Sequence, residues 1–114
     1  MKIEKIKEIL NAKVICGDEY LDREVYSACG SDLMSDVLAF VKEQGVLLTG
    51  LLNPQAIRTA EMMDIICVVF VRGKSPDETM KKLADEHQLT VLCTEHPMYQ
   101  ACGLLYKNGL CGKE

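Results

Sequence analysis

The chain has 114 residues, 48% of them hydrophobic and 26% charged, with a formal net charge of −4. So large an apolar fraction excludes intrinsic disorder, and three prolines with eight glycines exclude low-complexity or fibrous sequence. The acidic balance and 5% aromatic content, without Trp, give no footing for nucleic acid, which calls for concentrated Lys and Arg and stacking rings.

Ile3, Ile6, Ile9 and Leu10 share one face, so residues 3 to 11 predict a first helix. Charges interrupt this opening stretch, which therefore does not read as a signal peptide. Val14-Ile15-Cys16 predicts a short strand stopped by Gly17-Asp18-Glu19, and Glu24 to Ala28 a weaker, half-polar second strand. Ser31 or Asp32 then caps a second helix with Leu33, Val37, Phe40 and Val41 on its apolar face. Val46-Leu47-Leu48 reads as a buried strand ending at Thr49-Gly50. Asn53-Pro54 supplies a cap and a proline at the first helical position, opening a helix through about Met63.

Ile65 to Val71 is the strongest strand, a near-continuous β-branched run suited to a central parallel position. It is also the longest apolar run, far short of the roughly 20 residues a membrane helix needs. Ser75-Pro76-Asp77-Glu78 reads as cap, N1 proline and N3 acid. Met80, Leu83, Ala84 and His87 share a face of the helix that follows. Thr90 to Cys93 is a fifth strand, and Pro97 to Lys107 a final helix stopped near Asn108-Gly109.

From residue 24 onward the order is βαβαβαβα, which predicts an α/β fold: a mostly parallel sheet of about five strands with covering helices. Cys16 to Glu24 is too short for a parallel crossover, so the first strand is expected to be antiparallel or at an edge. No linker or repeat interrupts residues 1–114, which read as a single domain. Cys16, Cys67 and Cys93 fall within apolar runs. Cys29, Cys102 and Cys111 are the thiols expected to meet solvent. With no secretion signal, free thiols and a cytoplasmic location are expected.

Two near misses to a phosphate-binding P-loop occur. Gly45 and Gly50 have the right spacing, but Leu51-Leu52 replace the Lys-Ser/Thr that reach phosphate and magnesium. Gly73-Lys74-Ser75 has the right ending, but the upstream glycine would fall at Val68. No CxxC occurs, and Cys93-Thr94-Glu95-His96 offers only half a metal site, so neither a metal nor a cofactor is expected. Asp32 and Asp36 lie four apart, which a cap explains more simply than a catalytic pair. His87 reads as partly buried or in contact with a helix dipole.

What remains is a pattern of position. Ser31-Asp32, Thr49 to Asn53, Arg72 to Ser75 and Thr94 to His96 each follow a predicted strand and open a helix. In open parallel sheets the carboxyl edge of the strands is where ligands bind. The candidate ligand-binding residues are Ser31, Asp32, Thr49, Gly50, Asn53, Arg58, Arg72, Gly73, Lys74 and Thr94. Arg72, Lys74 and Arg58 would favour an anion, and Asp32 would accept a ribose hydroxyl. The plainer account is that these residues cap helices and pair with acids such as Glu61 and Asp77.

Gly17 to Val25, Ser31-Asp32-Leu33-Met34, Leu48-Thr49-Gly50, Val71 to Glu78 and Leu92-Cys93-Thr94 together resemble the DRTGG domain family, including the N-terminal domain of HPr kinase/phosphorylase. Of the namesake letters the chain keeps Thr49-Gly50, with Leu51 in place of the second glycine. Leu48 to Gln55, with Ile57 to Glu61, is similar to stand-alone members often encoded near iron-only hydrogenase genes. The resemblance implies a small three-layer α/β/α domain related to the first domain of MurF-type ligases. It also implies a regulatory or assembly role rather than catalysis. The expectation is a non-enzymatic, ligand-sensing homodimer. The alternatives are an assembly adaptor for a hydrogenase-related redox enzyme and a small transferase or hydrolase using Thr49, Arg72 and Asp32.

Overall fold

Five strands pair into one sheet, and the two faces of that sheet take different helices. A computed structural model describes residues 1–39 and 43–111. The strands are β1 (Lys13–Cys16), β2 (Ser27–Gly30), β3 (Gly45–Thr49), β4 (Ile65–Phe70) and β5 (Thr90–Cys93), and their spatial order is β1-β5-β4-β3-β2. β2 to β5 run parallel, while β1 pairs antiparallel with β5 at the edge, Lys13 opposite Cys93. The expected edge position and reversed direction of the first strand are both observed.

Strand alternation distributes the core. Val46, Leu48, Cys67, Val69 and Leu92 face α1 (Ile3–Ile9) and α5 (Met98–Lys107), meeting Ile3, Ile6, Ala101 and Leu105. Leu47, Val68, Phe70 and Val91 face α2 (Met34–Leu38), α3 (Pro54–Met62) and α4 (Glu78–Glu86), meeting Val37, Ile57 and Met80. The result is the expected three-layer α/β/α arrangement. β3 and β4 are buried along their whole length, which explains their unbroken apolar sequence.

Several local readings shift. The second strand spans residues 27–30, not 24–28; Glu24 instead forms an isolated bridge with Lys2. The second helix begins at Met34, because Ser31 and Asp32 are engaged elsewhere and provide no cap. Leu33 is consequently 59% exposed, and Met34 and Val37 take the buried face. Phe40 and Val41 lie outside the described residues. α4 starts two residues later than the Ser75-Pro76 signal suggests, because Asp77 accepts from the Met80 N–H at 2.9 Å and is the cap. His87 is exposed at the C-cap of α4, with Nδ1 4.0 Å from Glu61 Oε1. Gly17, at φ +79°, is required where it stands: a Cβ there would lie 2.4 Å from the Leu89 carbonyl oxygen.

Candidate functional site

The carboxyl ends of β2, β3 and β4 lie side by side, and the turns that leave them converge on Gly50. Asp32, two residues beyond β2, reaches across to the end of β3. Its Oδ1 accepts from the Gly50 N–H at 2.6 Å and from the Thr49 hydroxyl at 3.2 Å. Its other oxygen lies 3.6 Å from Arg72 Nη2, arriving from the turn after β4. Lys74 closes the group from the same turn, donating to the Gly50 carbonyl at 2.8 Å.

The hydrogen bond from Gly50 is the main reason the Asp32 carboxyl titrates below its usual range. The Thr49 hydroxyl and the charges of Arg72 and Lys74 lower it further, against a desolvation that opposes them. An anion on an otherwise acidic protein is thus held between two cations at one strand edge. Gly50 is what allows the guanidinium to lie so close, since a Cβ there would be 2.1 Å from Arg72 Nη2.

The Arg72-Gly73 turn is unusual in its backbone. Both residues have positive φ, +61° and +70°, a conformation costly for arginine. It is fixed by the neighbouring turn, with the Arg72 N–H donating to the His96 carbonyl at 2.9 Å and the Gly73 N–H to the Thr94 carbonyl at 2.8 Å. The amides of this turn are therefore spent within the protein, and the cationic side chains are what it presents.

The remaining candidates from sequence scatter. The Ser31 hydroxyl accepts from the Leu33 N–H at 3.0 Å and shapes the approach to α2. Asn53 caps α3, accepting from the Gln55 N–H at 2.8 Å. Arg58 is exposed on α3 with no ion pair among the described residues. Thr94 is buried, and its hydroxyl donates to the Leu10 carbonyl at 2.8 Å, so it holds α1 to the end of β5 rather than facing a ligand. Arg72 pairs with Asp32, not with Asp77, which serves as a helix cap.

Gly45 to Thr49 is strand β3, so the P-loop-like glycine spacing falls on extended, buried backbone that cannot wrap a phosphate. Among the described residues no cluster of His, Cys, Asp and Glu is arranged to hold a metal ion. None of the six cysteines is joined in a disulfide: Cys67 is buried, Cys111 exposed, and the rest intermediate. No helix among the described residues is long and apolar enough to cross a membrane. A concavity of about 590 Å³ runs along the outer face of α5, lined by His96, Tyr99, Gly103, Leu104 and Tyr106, and shares no residue with the Asp32 cluster. Sequence reading passed over this face because Tyr99 and Tyr106 sit at ordinary helix spacing.

A family model described as the DRTGG domain matches residues 5–107. Among curated proteins no sequence matches the chain. Among solved structures, the chain is similar to the CBS and DRTGG domains of the regulatory region of Clostridium perfringens pyrophosphatase, complexed with the activator diadenosine tetraphosphate. The TM-score is 0.74 at 18% identity, covering 91% of this chain and 45% of that one. The likeness is one of fold, and the chain spans less than half the length of that structure.

Proposed function

The chain belongs to the DRTGG domain family, and from that premise we propose that residues 1–114 form a single, non-catalytic regulatory domain that senses a small anionic ligand. The observation that carries this reading is the meeting of Arg72, Lys74 and Asp32 over Gly50. Guanidinium and ammonium groups converging at a strand edge suit phosphate oxygens, which they bind by charge-assisted hydrogen bonds. A nucleotide is the leading ligand. Its phosphate would take Arg72 from Asp32, and the freed carboxylate would accept a ribose hydroxyl. Because Asp32 lies in the turn before α2, the exchange would be felt at that helix.

The diadenosine tetraphosphate bound by the structurally similar regulatory region supports this ligand class. The absence of a Lys-Ser/Thr pair after Gly50 supports binding without turnover. Cysteines held outside disulfides agree with a cytoplasmic domain. Calorimetric titration of a nucleotide panel, including a dinucleoside polyphosphate, tests the reading. Saturable heat is expected from the wild type and its loss from Arg72→Ala. Equal heats from both proteins, or ATP turnover abolished by Lys74→Ala, would overturn it.

A second reading, an assembly adaptor for a redox enzyme of the hydrogenase type, is favoured by the exposed tyrosines along α5. In that case Tyr99→Ala with Tyr106→Ala would abolish binding of the purified partner enzyme and leave nucleotide heats untouched.

A further inference from the structure

The turn after β4 leads to α4 on one face of the sheet, while the turn after β5 leads to α5 on the other. Where consecutive strand ends send their chains to opposite faces, an open α/β sheet leaves a crevice. Here the two turns are tied by the Arg72 and Gly73 amides, and a cavity of about 180 Å³ lies beside the tie. It is lined by Gly73 and Ser75 from the first turn, Glu95 from the second, Cys93 at the end of β5, Lys13 and Ile15 of β1, and Asn11 just before it. Asp32, Gly50 and Lys74 take no part in it.

The chemistry of this lining is specific. Lys13 and Glu95 bring opposite charges to one small cavity, yet among the described residues neither forms an ion pair. Glu95 is given its place by Gly73, since a Cβ on that glycine would lie 2.8 Å from Glu95 Oε1. Ser75 and Asn11 add a hydroxyl and a carboxamide, each able to donate and to accept. Burial raises the Cys93 thiol above its ordinary range against the hydrogen bond from Ser75, so the thiol stays neutral. A free anion would meet Glu95 and a free cation would meet Lys13. The cavity is also well below the roughly 300–1,000 Å³ of sites for drug-sized ligands.

We propose that this cavity binds a small zwitterion, an α-amino acid, with its carboxylate against Lys13 and Asn11 and its ammonium against Glu95. The site is separate from the anion edge and gives the domain a second input. Calorimetric titration of the purified chain with the standard L-amino acids tests it, using Lys13→Met, Glu95→Gln and Arg72→Ala beside the wild type. Saturable heat from at least one amino acid is expected, with affinity weakened about tenfold or more in both Lys13→Met and Glu95→Gln, as loss of a charged hydrogen bond implies. Both positions are exposed, so thermal melts of these variants should match the wild type. Arg72→Ala should keep the amino-acid heat while losing any nucleotide heat, which separates this site from the anion edge. No saturable heat from any amino acid, or an unchanged affinity in either Lys13→Met or Glu95→Gln, would overturn the proposal.

Discussion

An alanine at position 50 would collide with the tip of a flexible side chain rather than with backbone, because the atom 2.1 Å from its Cβ is Arg72 Nη2. The fold should therefore survive Gly50→Ala, with the guanidinium pushed away from Asp32. The expected result is a thermal midpoint near that of the wild type and a loss of nucleotide heat comparable to Arg72→Ala. Asp32 itself sets a pH signature. Its carboxyl is held below the ordinary value in the folded chain, chiefly by the Gly50 N–H. Its contribution to stability is therefore complete above about pH 5 and is lost as pH falls through the depressed value. The side chain is half exposed, so that contribution stays within about 1 kcal/mol. Melts of Asp32→Asn against pH should show less acid destabilisation than the wild type, and parallel curves would remove Asp32 from the account.

Among the elements, the caps decide where helices begin. Asp77→Ala should destabilise by about 1 kcal/mol, measured by denaturant unfolding, because the Met80 N–H loses its acceptor. Ser75→Ala should cost far less by the same measurement, although Ser75-Pro76 is the stronger start signal in sequence. Central strands were legible because an unbroken β-branched run has few alternatives, and Asn53-Pro54 marked α3 correctly because its cap bond is local. Asp32 read as a cap because an acid before an apolar run usually is one. Its carboxylate instead finds the Gly50 amide, a partner supplied only by the parallel pairing of β2 with β3. Thr94 was unreadable for the same reason, since the Leu10 carbonyl that takes its hydroxyl belongs to the far end of the sequence.

At the scale of the whole molecule, the open edge of the sheet at β2 bears on self-association. Among the described residues the outer side of the edge strand β2 pairs with no strand, and Tyr26, Leu33 and Leu38 stand exposed in the segments that flank it. Ser27 to Gly30 carries neither Lys nor Pro, the residues that commonly blunt an edge. Of the other apolar pairs beside the sheet, Val14-Ile15 belongs to the opposite edge strand β1 and Leu51-Leu52 follows β3. Val14, Ile15 and Leu51 are only partly exposed, and Leu52 is exposed in the turn after β3. A symmetric dimer is expected to give twice the chain mass by light scattering at about 0.1 mM, since interfaces of standard size bind far tighter than that. Leu33→Glu should return a monomer with an unchanged melt if the β2 side is the interface.

The antiparallel union of Lys13 with Cys93 also sets a timetable. During synthesis α1 and β1 leave the ribosome before the strand that pairs with β1, which follows some 80 residues later, roughly 4–16 seconds at ordinary elongation rates. Through that interval Ile3, Ile6 and Leu10 have no α5 to cover them. The sheet can grow strand by strand from β2 toward β5 as each neighbour appears, but the opening helix must wait. α1 thus keeps an unburied apolar face until α5 is made, and the arrival of α5 is what retires it.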